Sequence, residues 1–344
     1  ASVYPSKLTF GKDNWSVSRE VTVTGLDDAI SDGTISGAIT VAINQDETKD
    51  SGYDALASHS VVTTISDNDA TPTVTLTSSD VSVAENLGAA TLTATLSLGA
   101  GSATTVSLNI SGNATLNTDY SVSSTSIIIP AGSTSGTATT TAIADQVDEE
   151  SETITVDVSG VSGGNGASES GNQQVSITIT DDDTAAFTVT QSSGSTSVAE
   201  SGSSDDFTVV LGSEPTGNVV FDLSASDSTE ATLSASTLTF TSSNWNSAQT
   251  VTVTGVNDNV SDDNVTSTIT VAINQGSTND AKYDALSSQS VSVTTTDGVD
   301  AATFTIAETD NATLVSESGG TDTFSVVLGS EPTSNVVFSL TVGD

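Results

Sequence analysis

Carboxylates are the one chemically capable residue class that this sequence supplies in quantity, and they fall in clusters. Within 70–183 they are Glu85, then Asp119, then Asp145, Asp148, Glu149 and Glu152 in one stretch, and finally Asp181, Asp182 and Asp183. Carboxylates at contact distance repel by on the order of several kcal/mol at the intermediate dielectric of a protein surface. A cation or protonation relieves that repulsion. The chain has 44 acidic residues against 5 Lys and Arg, a net charge of -39, so salt bridges cannot do it. A metal is therefore favoured. Hard oxygen ligands on flexible loops favour Ca²⁺, which takes ~6–8 oxygens at ~2.3–2.6 Å. Mg²⁺ prefers to keep its waters, and zinc would want His or Cys. The chain has no cysteine and one histidine, His59, which reads as a surface residue.

Other chemistries find little support. The sequence has no Ser-His-Asp set, no zinc ligand set and no Gly-rich phosphate loop. Paired acids can cleave glycosides. These acids recur in every repeat and sit between strands, whereas acid–base catalysis calls for one tuned site. The expectation is a protein that is not an enzyme. Its charge opposes nucleic acid and anionic membrane surfaces. No apolar run approaches the ~18–20 residues that span a bilayer, so no membrane insertion is expected in this segment. No signal peptide is visible at Ala1, and the sequence reads as a mature or excerpted segment.

Loops carrying these acids need a scaffold, and the sequence points to strands. Acidic chains poor in aromatics can be disordered. Alternations such as Val21-Thr22-Val23-Thr24 and Val175-Ser176-Ile177-Thr178-Ile179 argue instead for half-buried β-strands. In 70–183, strands are expected near 73–77, 90–97, 104–110, 125–129, 137–143, 152–158 and 174–180, with Ile154, Val156 and Val158 facing the core. About seven short strands without helical periodicity predict an all-β, Greek-key (immunoglobulin-like) β-sandwich. On such a path the loops after the first, third and fifth strands, and the end of the seventh, share one end. The four acid clusters should therefore meet. Trp15 and Trp245 are read as core or corner packing. The many Thr residues suit the wet faces of strands and do not by themselves mark an ice- or sugar-binding surface.

Internal similarity organises the chain. Leu8–Asp67 matches Leu238–Asp297 at a constant offset, including Asn14-Trp15 with Asn244-Trp245 and Tyr53-Asp54-Ala55-Leu56 with Tyr283-Asp284-Ala285-Leu286. Phe187–Asp227 matches Phe304–Asp344, with Val209-Val210-Leu211-Gly212-Ser213-Glu214-Pro215 returning as Val326–Pro332. These matches divide the chain into a C-terminal half sandwich at 1–69, complete tandem sandwiches at 70–183 and 184–300, and an N-terminal half sandwich at 301–344. The chain is then either one period of a longer repetitive protein or a filament subunit whose half sandwiches complete one another between copies.

The middle unit resembles the Calx-beta domain. The motifs are Ser82-Val83-Ala84-Glu85-Asn86-Leu87-Gly88, Thr118-Asp119-Tyr120, Ile127-Ile128-Ile129-Pro130-Ala131-Gly132, Ala144–Glu152 and Ile177–Asp183. The resemblance implies that Glu85, Asp119, Asp145, Asp148, Glu149, Asp181, Asp182 and Asp183 bind Ca²⁺. Gln146 stands where the family often has a second adjacent aspartate. The repeated unit keeps Val198-Ala199-Glu200-Ser201-Gly202 and thins the rest. Its implied ligands are Glu200, Asp258, Asp262, Asp297 and Asp300, with Asp227 or Glu230 in the mid-domain loop. The counterparts in 1–69 are Asp28, Asp32, Asp67 and Asp69. The segment 301–344 contributes Glu317 and Asp344 to a site that needs the other half. Fewer acids predict fewer ions or weaker binding. The resulting expectation is a calcium-rigidified structural or adhesive repeat segment of an extracellular or cell-surface protein or filament, partnered by calcium and neighbouring repeats. A calcium-dependent glycan- or ligand-binding module is the alternative.

Overall fold

The computed structural model of the protein describes residues 1–298 and 300–343. Its regular structure is almost entirely strand, with two four-residue α-helices and two 3₁₀ turns among the described residues. Among the described residues, no helix is long and apolar enough to cross a membrane. The chain divides into two compact units. One comprises Ala1–Asp145 with Glu150–Asp182, the other Gln146–Glu149 with Asp183–Asp344.

The first unit holds a sandwich whose strands lie where the alternation places them. Ala89–Leu96 pairs antiparallel with Thr73–Ser78 on one side and Ser135–Ala142 on the other. The facing sheet runs Ser126–Ile129, Thr104–Gly112, Glu152–Gly163, Gln174–Thr180 and Ser82–Ala84. Successive side chains along a strand point to opposite faces. Leu92, Ala94, Val106, Ile127, Ile129, Ile154, Val156 and Ile177 accordingly share one buried core. Ile154, Val156 and Val158 all face it, as their alternation predicts.

The first strand region switches sheets: Thr73–Ser78 belongs to one, and Ser82–Ala84 joins the other by pairing parallel to Gln174–Thr180. This crossing sets Glu85 at the end of the last strand, with its N–H donating to the Thr180 carbonyl at 2.9 Å.

In the same unit, Ile35–Val41 and His59–Ile65 pair antiparallel within 1–69. Ile35, Val41, Val61 and Val62 on these strands are exposed. Phe10 is 50% exposed, whereas its counterpart Phe240 is 0% exposed. His59 is exposed, as expected of it.

The second unit repeats the sandwich plan. One sheet orders Phe187–Gln191, Ser204–Leu211, Gln249–Gly255 and Ala231–Leu233; the other orders Thr196–Ala199, Gln289–Thr296, Val265–Ile273, Val219–Ala225 and Thr237–Phe240. Phe207, Phe221, Phe240, Ile269 and Val253 fill its core, and Phe221 meets Phe187 and Phe240 edge-on. Trp245 packs against that core while Trp15 is exposed, so the packing role read for both is met by Trp245 alone. Phe304–Glu308 and Phe324–Leu328 form a two-stranded ribbon within 301–344.

Candidate metal centre

In the sandwich of the second unit, three strand ends and one loop build a carboxylate cluster. Thr196–Ala199 runs parallel to Gln289–Thr296 and ends at Glu200, whose N–H donates to the Thr296 carbonyl at 3.2 Å. Strand Gln249–Gly255 passes so near Ala199 that a Cβ on Gly255 would fall 2.2 Å from the Ala199 carbonyl oxygen. Glycine is what lets the loop that follows begin beside Glu200. Val256 donates to the Glu230 carbonyl at 2.9 Å, and the Thr295 hydroxyl donates to the same oxygen at 3.4 Å, which ties Glu230 to both.

Glu200, Glu230 and Asp262 each present a carboxylate oxygen within 4.8 Å of the others. Both glutamates are 3% exposed. Among the described residues, one oxygen of each of the three is buried without a hydrogen-bond partner. Buried acceptors left in this state are costly unless something else satisfies them. Electrostatics agrees. Burial, then Asp297, Asp258, Glu230 and Asp262, pushes the Glu200 carboxyl from 4.5 up to about 7. Burial, then Asp262, Asp258 and Asp227, raises Glu230. Asp262 is raised by burial, then by Asp258 and Asp297.

Three anionic oxygens at this spacing suit a hard divalent cation. Two ligands of one Ca²⁺ at ~2.3–2.6 Å stand at most about 5 Å apart. The donor set is all oxygen, so the residues fit the ion.

Asp227 behaves differently. Its Oδ1 accepts from the Thr229 N–H at 2.9 Å and from the Thr229 hydroxyl at 2.5 Å, and these bonds hold its carboxyl below the usual range. Of the two mid-loop acids, Glu230 is the one brought to Glu200 and Asp262. In the structure Glu230 directly precedes strand Ala231–Leu233, as Asp119 precedes Tyr120–Val122. Asp258 accepts from the Val260 N–H at 2.9 Å, shaping the loop at the cluster's edge. Asp297 follows the last strand of the same sandwich. Asp300 has a buried, unpartnered Oδ2 but lies outside this group of three.

The first unit holds Glu85, Asp119, Asp145, Asp181 and Asp182. Glu85 is 5% exposed and accepts from the Asp145 N–H through Oε1 at 2.9 Å. The Asp119 carbonyl accepts from Ile143 at 2.9 Å, which lays the mid-domain loop against the strand leading to Asp145. Asp181 and Asp182 follow Thr180, the residue to which Glu85 is bonded.

Asp148 lies in the short segment that goes with the second unit. There its Oδ2 accepts from the Ala185 N–H at 2.7 Å and its Oδ1 stands 3.3 Å from Lys282 Nζ. Glu149 and Asp183 belong to that unit too.

In 1–69, Asp67 accepts from Gly33 and Asp69 at 2.9 Å each, and the bond from Asp69, then that from Gly33, holds it low. Asp69 is raised by burial, then by Asp67, Asp27, Asp28 and Asp32. Four of these five acids were read from the sequence; Asp27 was not. Glu317 is exposed in a turn. Asp344 lies outside the described residues.

The sequence profile described as the Calx-beta domain matches residues 67–184 and 182–310. No curated protein sequence matches the chain. Among solved structures, the chain is similar to CBD12 from CALX1.2 at 16% identity, over 64% of this chain and 99% of that one, with a TM-score of 0.32. It is similar to the apo-form Calx CBD1 domain at 20% identity, over 33% and 100%, with a TM-score of 0.30. Similarity to domains 4 and 5 of the S-layer protein SbsC is 18%, over 65% and 97%, with a TM-score of 0.25.

Proposed function

Because the chain belongs to the Calx-beta domain family, we propose that it is a calcium-rigidified structural or adhesive repeat segment of an extracellular or cell-surface protein. The observation that carries this reading is the buried trio Glu200, Glu230 and Asp262, each with an oxygen that has no hydrogen-bond partner among the described residues. Without a cation the trio destabilises the end of the sandwich, and with one it ties two strand ends to a loop. Glu85, Asp119, Asp145, Asp181 and Asp182 offer the corresponding ligands in the preceding sandwich, with more acids and tighter binding. Millimolar extracellular calcium suits the sparser set. The chain acts as a scaffold and binding module with no catalytic site. Neighbouring repeats or subunits would complete the half sandwiches and cover side chains such as Phe10 and Tyr53, whose counterparts Phe240 and Tyr283 are buried.

Calcium titration tests this, followed by melting temperature and scattering dimensions. Calcium should raise the melting temperature and narrow the range of dimensions, and EDTA should reverse both. Indifference to chelation in both measurements would sink the reading.

A further inference from the structure

The acidic loops hold a kind of residue that ion binding does not account for. Among the carboxylates of each stands a β-branched aliphatic: Ile30 between Asp28 and Asp32, Val147 between Asp145 and Asp148, and Val260 between Asp258 and Asp262. Such a side chain offers no ligand atom, and an exposed loop has no need of it. All three are partly buried.

All three also make the same contact. Ile30 pairs in parallel with Gly99, Val147 with Glu214, and Val260 with Glu331. The three targets are equivalent, each standing three residues past the leucine that ends a strand: Leu96, Leu211 and Leu328. Backbone hydrogen bonds accompany the pairing. Glu214 donates to the Gln146 carbonyl at 2.6 Å, Glu331 to the Asn259 carbonyl at 2.8 Å, and Gly101 to the Ser31 carbonyl at 2.9 Å. A Cβ on Gly101 would fall 2.5 Å from Asp32 Cβ and 2.8 Å from its Cα, so the close approach there requires glycine.

The receiving turn at Gly212–Pro215 is held in place beforehand. The buried Ser213 donates its N–H to the Tyr283 hydroxyl oxygen at 3.0 Å, and that hydroxyl donates to the Ser213 carbonyl at 2.7 Å. Thr216 donates its N–H and hydroxyl to Asp280 Oδ2 at 2.8 and 3.0 Å. These bonds leave the Glu214 N–H to the incoming carbonyl. Main-chain pairing of this kind supplies attraction, and the flanking geometry supplies selectivity.

We propose that this turn is a receptor for the aliphatic apex of the preceding repeat's acidic loop, a backbone clip that forms without an ion. The partner it fits is another repeat of this class, carrying Ile or Val among loop aspartates. The proposal is separate from calcium binding: the acids hold the ion, and the apex between them holds the next sandwich.

The full chain, which has no cysteine of its own, permits a direct test. V147C with E214C, and separately V260C with E331C, are oxidised mildly in EDTA and in excess calcium, and crosslinking is followed by intact mass. V147C with N218C and V260C with N335C set the background. Each bridge pair should crosslink about tenfold faster than its displaced pair in both conditions, in keeping with a contact held most of the time. Equal rates in EDTA overturn the clip while leaving the calcium reading to its own melting test. Hydrogen exchange on the unsubstituted chain supplies a check free of any folding defect. The Glu214 and Glu331 amides should exchange about tenfold more slowly in EDTA than an unbonded loop amide. Exchange at the unbonded rate also overturns the proposal.

Discussion

Glu230 and Asp227 stand three residues apart in environments of opposite sign. Burial and neighbouring carboxylates raise Glu230, while bonds from Thr229 lower Asp227. Glu230→Gln should therefore weaken calcium binding to the second sandwich by on the order of tenfold or more, measured calorimetrically, because ligand charge count tunes affinity. Asp227→Asn should leave that affinity within about twofold, since its oxygen serves a local turn. Glu200 fixes the pH response of the metal-free protein. Its folded carboxyl titrates at about 7 against 4.5 for the ordinary group, so the folded state keeps its proton longer than the unfolded one. Stability from this group is fully present below about 4.5 and declines as pH rises towards about 7. The melting temperature of the second sandwich in EDTA should rise by on the order of a few degrees between pH 7.5 and pH 5. Saturating calcium should abolish or reverse that gain. Membership of Glu200 and Asp262 in the cluster was legible from their place after strands. The choice of Glu230 over Asp227 was not, because it depends on the Thr229 bonds and on the buried oxygens of Glu230.

At the scale of elements, the strands of the middle sandwich were readable because Val, Ile and Leu alternate with Thr and Ser. The expected strand near 137–143 and the observed Ser135–Ala142 differ only at their ends. Two features escaped that pattern. The short segments Ser82–Ala84 and Thr196–Ala199 pair in parallel with the last strand of each sandwich, and three or four residues carry no periodicity of their own. The helices Ser51–Asp54 and Ala281–Asp284 are one turn long and rest on the capping aspartates Asp50 and Asp280 rather than on an apolar stripe. An aspartate followed three residues later by tyrosine was the available signal. That second helix places Tyr283, at 1% exposure, against the Gly212–Pro215 turn. Tyr283→Phe removes all three of its hydrogen bonds with Ser213 and should cost about 1–3 kcal/mol in denaturant unfolding. Calcium affinity should stay unchanged, because Tyr283 touches none of the trio.

At the scale of the molecule, the offset repeats lead us to propose that 301–344 and 1–69 are complementary parts of one sandwich type. Joining 301–344 to 1–69 through Ser-Thr-Glu, the residues at 228–230, should give a polypeptide that folds alone and melts cooperatively. Circular dichroism would check it, and a non-cooperative, strand-poor spectrum would count against the repeat assignment. The parallel pairing beside each acid cluster has a mechanical consequence. Ser82–Ala84 lies near the start of its sandwich and Gln174–Thr180 at its end, and the two run side by side. Thr196–Ala199 and Gln289–Thr296 repeat that relation. Tension that draws the two ends of a sandwich apart slides these strands along one another. Their hydrogen bonds then share the load in shear and are not peeled open singly. Glu85 and Glu200 close the short strand of each pair, where an ion would add a rivet across the same line. Rupture under load is set by the rate of this sliding step. In the structural role proposed for the chain, each sandwich would meet a pull along the chain in shear, and calcium would set how hard it can be pulled.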